Sequence, residues 1–457
     1  MNTEESVIGS IVSNQKEYYK QGNTKDISFR KLMLSKLYKA IEQWEDLIYE
    51  ALYKDLRKSY EEAYLTEISI LKGEINLHLK NIDKWAKREK IRTPLKLYPS
   101  KTYIVKEPLG NALIISPWNY PVQLLLNPLI GAISAGCTAI LKPSPYTPNV
   151  SQVINYMISN TFDKNYITVV QGGRNINQEL LRHRYDIIFF TGSPSLGKVV
   201  MASAAQHLTP VVLELGGKSP CVVDKSADIA VAAKRIAWGK TLNSGQTCIA
   251  PDYLFLHEDI HDEFIKEFGV AIEKLHGKDI KESKHYVKMV NDAAFDRVVG
   301  YISNCDVLYG GRHDRSSRFI EPTLIEGMNI DSDVMTEEIF GPVFPIVKYK
   351  ETEEVVSHID GREKPLALYY FGDEKTGWQL ISKTSSGGGC INDTIMHIAN
   401  ENAPFGGVGN SGMGRYHGKE SFEAFSHRRT ILRNKTFIDL PFRYMPYKFF
   451  KYVKKLV

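Results

Sequence analysis

Between Pro108 and Leu141 the chain carries no charged residue, and any fold it adopts has to hide that run. Residues 122–141 are long enough to invite a membrane-spanning reading. Gln123, Asn127-Pro128, Gly131 and Gly136 interrupt them, and Trp118-Asn119-Tyr120-Pro121 reads as a loop. The run resolves instead into a buried strand at 112–115, a turn, a buried helix near 122–135 and a second buried strand at 138–141. Helices and parallel strands covered on both faces are uniformly apolar, which places this segment inside a layered α/β fold.

The same alternation continues downstream. Strand signals at 167–170, 186–190 and 211–215 have helical stretches between them, the pattern of a doubly wound parallel sheet. A second series follows at 221–223, 253–256, 344–347, 366–371 and 389–391. At 457 residues the chain exceeds a single small core, and two or three domains are expected. The division falls near 215–219. Residues 1–215 form a helical N-terminus plus a first α/β domain, 216–412 a second, and 413–457 a C-terminal segment.

Upstream, Gly and Pro are nearly absent from 27 to 92, and Leu32, Leu34, Leu37 and Ile41 recur at helical spacing. Residues 1–90 therefore read as consecutive amphipathic helices. Pro94, Pro99 and the extended 101–106 stretch mark a bridging strand segment, 92–107, outside the main cores.

Composition narrows the function. A net charge of +5 is mild for this length, so nucleic-acid binding would need a concentrated basic patch. Five cysteines without a C-x-x-C or a zinc-like Cys/His spacing argue against a disulfide framework or a structural metal. The acidic start, Met1-Asn2-Thr3-Glu4-Glu5, lacks the basic and apolar regions of a signal peptide. A reducing, cytoplasmic setting is expected.

Cys248 lies in Asn243-Ser244-Gly245-Gln246-Thr247-Cys248-Ile249-Ala250, too small and polar for a core element. Free cysteines most often only pack, and Cys137, Cys221, Cys305 and Cys390 are read that way. A thiol acts as a nucleophile once deprotonated, and backbone amides of a glycine turn stabilise thiolate and oxyanion alike. Upstream, Glu214 is the only charge between His207 and Lys218. A carboxylate at an apolar strand end has its proton affinity raised, which suits a general base near neutrality.

Five segments, in order, resemble the signatures of the aldehyde dehydrogenase superfamily. They are Pro117-Trp118-Asn119-Tyr120-Pro121, Leu213-Glu214-Leu215-Gly216-Gly217-Lys218-Ser219-Pro220, Gly245-Gln246-Thr247-Cys248-Ile249-Ala250, Glu337-Glu338-Ile339-Phe340-Gly341-Pro342 and Pro404-Phe405-Gly406-Gly407-Val408-Gly409-Asn410-Ser411-Gly412. The stretches 392–397, 414–418 and 425–428 resemble the class 3 branch, which includes fatty aldehyde dehydrogenases. The similarity runs from about Phe29 to Arg428.

The resemblance implies two doubly wound α/β domains, a Rossmann-like cofactor domain and a catalytic domain, with a small bridging or oligomerisation strand element. It implies NAD(P)-dependent oxidation of medium- or long-chain aliphatic or aromatic aldehydes to acids, in a homodimer. Cys248 becomes the nucleophile, Glu214 the base and Asn119 an oxyanion donor. The cofactor residues are Lys142, Gly192, Ser193 and Gly197 at the adenosine–pyrophosphate end, and Glu338 and Phe340 at the nicotinamide end. Pro145 stands where many relatives carry a glutamate that repels a 2′-phosphate, so NAD use with NADP tolerance is expected.

Two glycine motifs are decoys. Gly192–Lys198 has P-loop spacing, but Val199 replaces the Ser or Thr that holds Mg²⁺. Gly407–Gly412 satisfies G-x-G-x-x-G without a strand before it, and reads as a turn-rich segment near the substrate entrance. Three rival functions remain: a CoA-acylating dehydrogenase, a non-catalytic protein on this fold, and a cysteine hydrolase. Glu214 argues against the first and the joint presence of Cys248, Glu214, Asn119 and Glu338 against the second. The third lacks a His partner, since His257 and His261 sit in an acidic helical stretch. Finally, Lys448, Lys451, Lys454 and Lys455 share one side of a helix spanning 446–457. That helix either lies peripherally on an anionic membrane or packs against protein.

Overall fold

The computed structural model describes residues 3–303, 305–439, 441–447 and 450–454. Helices at Thr3–Lys20, Ile27–Leu56 and Ser69–Ala86, with a short helix Tyr60–Ala63 and a wide turn Tyr64–Ile68, form the N-terminal layer. Asp26 caps the second helix by accepting from the amides of Ser28 and Phe29. Leu34, Leu37 and Ile41 are buried as their spacing predicts, but Leu32 is 53% exposed and belongs to the other face.

The first sheet has six strands. Five are parallel, in the spatial order Val211–Leu215, Ile187–Gly192, Asn111–Ile115, Thr138–Lys142 and Ile167–Val169. Sequence order reverses between Asn111–Ile115 and Ile187–Gly192, a topological switch point outside which a crevice opens at the strands' carboxyl ends. The uncharged run is the heart of this layer: the helix Gln123–Ala135 is buried along its whole length.

The chain leaves this sheet at Leu215 and enters the next at Pro220. There the parallel order is Thr323–Glu326, Val343–Tyr349, Tyr253–His257, Pro220–Val223, Ala367–Phe371 and Gly388–Ile391. Asp306–Tyr309 adds antiparallel at one edge. Neither it nor Thr323–Glu326 was legible as a strand.

The bridging segment is larger than its sequence suggests. Lys101–Pro108 pairs with Glu89–Ile91 on one side and over eight residues with Ser426–Arg433 on the other. Gly412–Met413 returns to the first sheet, antiparallel to Val211–Leu215.

The expected tail helix over 446–457 is corrected. Tyr447 sits at φ 58, in the left-handed region that interrupts a helix, and the helix found spans only Phe450–Val453. Lys448 and Lys455 lie outside the described residues. His257 is likewise corrected, being the last residue of a strand rather than part of a helix.

Candidate active site

Cys248 follows a tight turn, Leu242–Gly245, in which Asn243, Ser244 and Gly245 all have positive φ. Glycine is required at 245, since a Cβ there would fall 2.4 Å from the Gly341 carbonyl oxygen. The turn is cross-braced by amides. Asn243 Nδ2 donates to the carbonyls of Asn119 and Gln246, each at 3.0 Å. Gln246 Nε2 donates to Asn243 O at 3.0 Å and its Oε1 accepts from Val290 N at 3.0 Å.

Asn119 projects from the loop after the strand Asn111–Ile115, at the switch point. It is 2% exposed, and its Nδ2 donates to Gln246 O at 3.0 Å, which ties it to the Cys248 turn. Tyr120 OH meets Thr247 Oγ1 at 2.6 Å, a second tie between the same two segments.

Glu214 is 3% exposed and neither carboxylate oxygen has a partner among the described residues. Gly412 pairs with it in register on one side and Thr191 on the other, which fixes its strand. Burial pushes its carboxyl well above the usual carboxylate range. The Gly407–Gly412 motif does not join a strand to a long helix, as a dinucleotide-binding G-x-G-x-x-G would. It makes a short turn and closes the edge of the strand that bears Glu214.

The Cys248 thiol is half-buried, and burial, then the charges of Glu338 and Glu214, push its pKa up. The amides of Cys248 and Ile249 pull it down but do not prevail. The turn expected from the sequence to favour the thiolate does act in that direction, and burial with the two carboxylates acts against it. These effects also show that Cys248, Glu214 and Glu338 share one electrostatic neighbourhood.

Glu338 lies in a segment held by Asp252, which accepts from Ile339 N at 3.1 Å, and by Arg297, which donates to the carbonyl of Ile339 at 2.8 Å. One of its carboxylate oxygens, Oε1, is buried and without a partner among the described residues. Burial raises it to about 8. A Cβ on Gly216 would fall 2.1 Å from its other oxygen, so the glycine leaves room for the acid. Phe340, at φ 50, sets its ring edge-on to Trp118 at 5.3 Å.

A cleft of about 1170 Å³ runs between the two sheets, with Ser193, Gly216, Lys218, Glu338 and Asn410 among its walls. Ser193 caps the helix Pro194–Ala205, its hydroxyl accepting from Leu196 N at 3.4 Å, and the positive end of that helix faces the cleft, which suits a pyrophosphate. Gly197 is packed against Leu215, where a Cβ would meet the side chain at 2.7 Å, so it sets helix–strand spacing. Gly192 ends its strand beside Phe190. Lys142 ends its own strand, 1% exposed, and donates to Pro143 O at 2.8 Å. Burial lowers it to about 8. Lys142, Gly192, Gly197 and Phe340 do not line the cleft; Glu338 joins it to the Cys248 neighbourhood.

Sequence reasoning missed Tyr416, which feels both Glu214 and Cys248, and Thr247, which anchors Tyr120. The class 3-like stretch at 414–418 was the available signal for Tyr416.

This arrangement unites a cysteine, a buried carboxyl without a partner among the described residues, a side-chain amide and an inter-sheet cleft fit for a dinucleotide. The aldehyde dehydrogenase family profile matches residues 2–431, and the chain belongs to that family. It is an NAD(P)-dependent enzyme oxidising aldehydes to carboxylic acids.

Among its relatives, 4,4'-diaponeurosporen-aldehyde dehydrogenase of Staphylococcus aureus is 47% identical, covering 98% of this chain and 99% of that one. The dimeric NADP-preferring aldehyde dehydrogenase of Rattus norvegicus is 45% identical, covering 93% and 94%. The solved substrate-bound state of Staphylococcus aureus AldH superposes with a TM-score of 0.97 at 46% identity, covering 100% of both chains. Relatives also include family 3 members, in line with the class 3 motifs.

Proposed function

We propose that Cys248 is the nucleophile, Asn119 the oxyanion donor and Glu214 the hydrolytic base of this dehydrogenase. Cys248 Sγ adds to the aldehyde carbon to give a thiohemiacetal, while the thiol proton leaves to solvent or a neighbouring base. The second N–H of Asn119 Nδ2 meets the oxyanion, its first being spent on Gln246 O. A bound nicotinamide would supply the hydride acceptor that conversion of the thiohemiacetal to a thioester requires. Glu214, once ionised, takes a proton from a water whose oxygen attacks the thioester carbon. The acid leaves and the thiol is restored. Lys142 and Ser193 would hold the adenosine–pyrophosphate end and Glu338 the nicotinamide ribose, with Phe340 near the ring and Gly192 and Gly197 shaping the approach.

The observation that carries this reading is Glu214: buried, with neither oxygen partnered among the described residues. A carboxyl kept from every donor is available to water and substrate. Glu214→Gln should give a burst of reduced cofactor equal to the sites present, then stall. Wild-type steady-state turnover in that variant would sink the assignment. The likeness to an enzyme named for a diaponeurosporen aldehyde supports a long apolar aldehyde as substrate, and a chain-length series in the same assay tests it. Pro145 is exposed, and the NADP-preferring relative supports NADP tolerance. A several-hundredfold preference for NAD in that assay would overturn it.

Three further readings belong here. Residues 1–215, 216–412 and 413–457 serve as cofactor, catalytic and C-terminal units. A homodimer in the cytoplasm fits the dimeric relative, with Ser426–Arg433 offering an exposed outer edge. The C-terminal segment touches membranes only peripherally: Phe437, Tyr444, Met445, Tyr447 and Phe450 are exposed beside Arg443 and Lys451. No helix among the described residues is long and apolar enough to cross a bilayer. Flotation with anionic liposomes, with and without residues 440–457, should separate the two forms; equal flotation removes the membrane contact.

A further inference from the structure

Among the described residues, Lys58 is the one buried cation that reaches the active-site loops from the N-terminal helical layer. It lies in the break between the helices Ile27–Leu56 and Tyr60–Ala63, and is 1% exposed. Its ammonium pairs with Glu67 Oε1 at 2.8 Å, donates to the carbonyl of Asn119 at 3.2 Å, and stands 4.2 Å over the Tyr120 ring. Glu67 spends its other oxygen on the amides of Val122 and Gln123, at 2.8 and 3.2 Å. From the same helical turn Glu62 accepts from Asn243 N at 3.0 Å. The loop carrying Asn119 is thus gripped at 119, 120, 122 and 123 by two side chains, and the Cys248 turn by a third.

Buried ion pairs are poor sources of net stability, because desolvation offsets the attraction and apolar side chains of equal volume serve as well. What an ion pair supplies and a Leu–Leu contact does not is direction. The Asn119 side chain has one N–H to spare, and its aim depends on where the Asn119 peptide unit is fixed. Among the described residues that unit's carbonyl accepts from two donors, Lys58 Nζ and Asn243 Nδ2.

We propose that Lys58, steered by Glu67, is a positioning residue for Asn119, fixing the peptide unit from which the oxyanion-holding amide projects. This rests on the assignment of Asn119 as the oxyanion donor. A shift of about 1 Å in such a group costs roughly 100-fold in rate.

The test is a double-mutant cycle. One arm is Asn119→Ala. The other is the matched neutral pair Lys58→Met with Glu67→Gln, which leaves neither member of the pair as an unpaired charge and keeps an oxygen for the Val122 and Gln123 amides. Aldehyde kcat/KM is measured for both arms and their combination, with thermal midpoints to confirm folding. Asn119→Ala should lower kcat/KM about 100-fold. The neutral pair should lower it about 10- to 100-fold, chiefly through kcat. Combined with Asn119→Ala it should lower it no further, because a misplaced amide that is already absent costs nothing.

Should the neutral pair not fold, Lys58→Gln with Glu67→Gln replaces it in the cycle; the side chain at 58 is then one atom shorter than lysine, so the same pattern is expected, a loss where Asn119 is present and none where it is absent. Equal losses in both backgrounds, or no loss in the first, overturn the positioning role while leaving Asn119 in place. A silent Asn119→Ala overturns the oxyanion assignment, and the positioning role falls with it.

Discussion

Glu67 and Glu214 are both buried acids, 0% and 3% exposed, set in opposite circumstances. Glu67, between the helical layer and the Asn119 loop, has an ammonium and two backbone amides. Glu214, at the end of its strand beside Cys248, has no partner among the described residues, and burial alone raises its proton affinity. The protein can satisfy a buried carboxylate and does so where it needs rigidity. Leaving Glu214 bare keeps its oxygens for water and substrate, at a cost in stability whenever it ionises.

The sharpest way to break this contrast is to neutralise each acid in turn. Glu67→Gln strands the Lys58 ammonium in the interior and should cost about 3–5 kcal/mol, read as a lower midpoint in denaturant. Glu214→Gln should cost nothing or stabilise. Equal losses would mean that Glu214 has structural partners after all.

A smaller effect lies in the pH dependence. Glu214 has a native proton affinity above its unfolded value, so its ionisation opposes folding. The penalty is absent below the unfolded range, near pH 4.5, and grows as pH rises above it. The wild-type thermal midpoint should therefore fall more steeply between pH 5 and about 8 than that of Glu214→Gln. Glu338, raised to about 8, contributes the same slope to both proteins. Parallel curves would show that Glu214 ionises without penalty.

The least effect is expected at Lys240, a buried lysine whose ammonium has no hydrogen-bond partner among the described residues and sits 4.9 Å over the Phe344 ring. Burial lowers it to about 8, so its charge opposes folding below that pH. Lys240→Met should raise the thermal midpoint by a few degrees at pH 6 and by less at pH 9. A fall at pH 6 would mean that the ring contact outweighs desolvation.

What the sequence disclosed follows from where each signal resides. Strands such as Asn111–Ile115 and Ala367–Phe371 are covered on both faces and announce themselves as apolar runs. Ser426–Arg433 is almost wholly exposed in the single chain, so its polar sequence carried no alternation, and only its pairing with Lys101–Pro108 makes it a strand. Cys248 stood out because its local run suits no core element, Glu214 as a lone charge at an apolar strand end, and Asn119 only through the family resemblance. Lys58 did not, because a lysine at the end of an amphipathic helix reads as solvated. Its burial depends on a loop 61 residues away. The Cys248 neighbourhood was legible as composition, but the upward push on its thiol comes first from burial and then from Glu338 and Glu214, which only the fold supplies.

The late return of the chain has a consequence for biogenesis. Gly412–Met413 closes the edge of Val211–Leu215, Ser426–Arg433 covers Lys101–Pro108, and the helix Lys419–Ala424 lays Ser421 against Gly131. Until those residues leave the ribosome, the nascent chain displays two open strand edges and an uncovered apolar helix. A product stopped short near residue 400 would keep them, and edges of that kind invite aggregation.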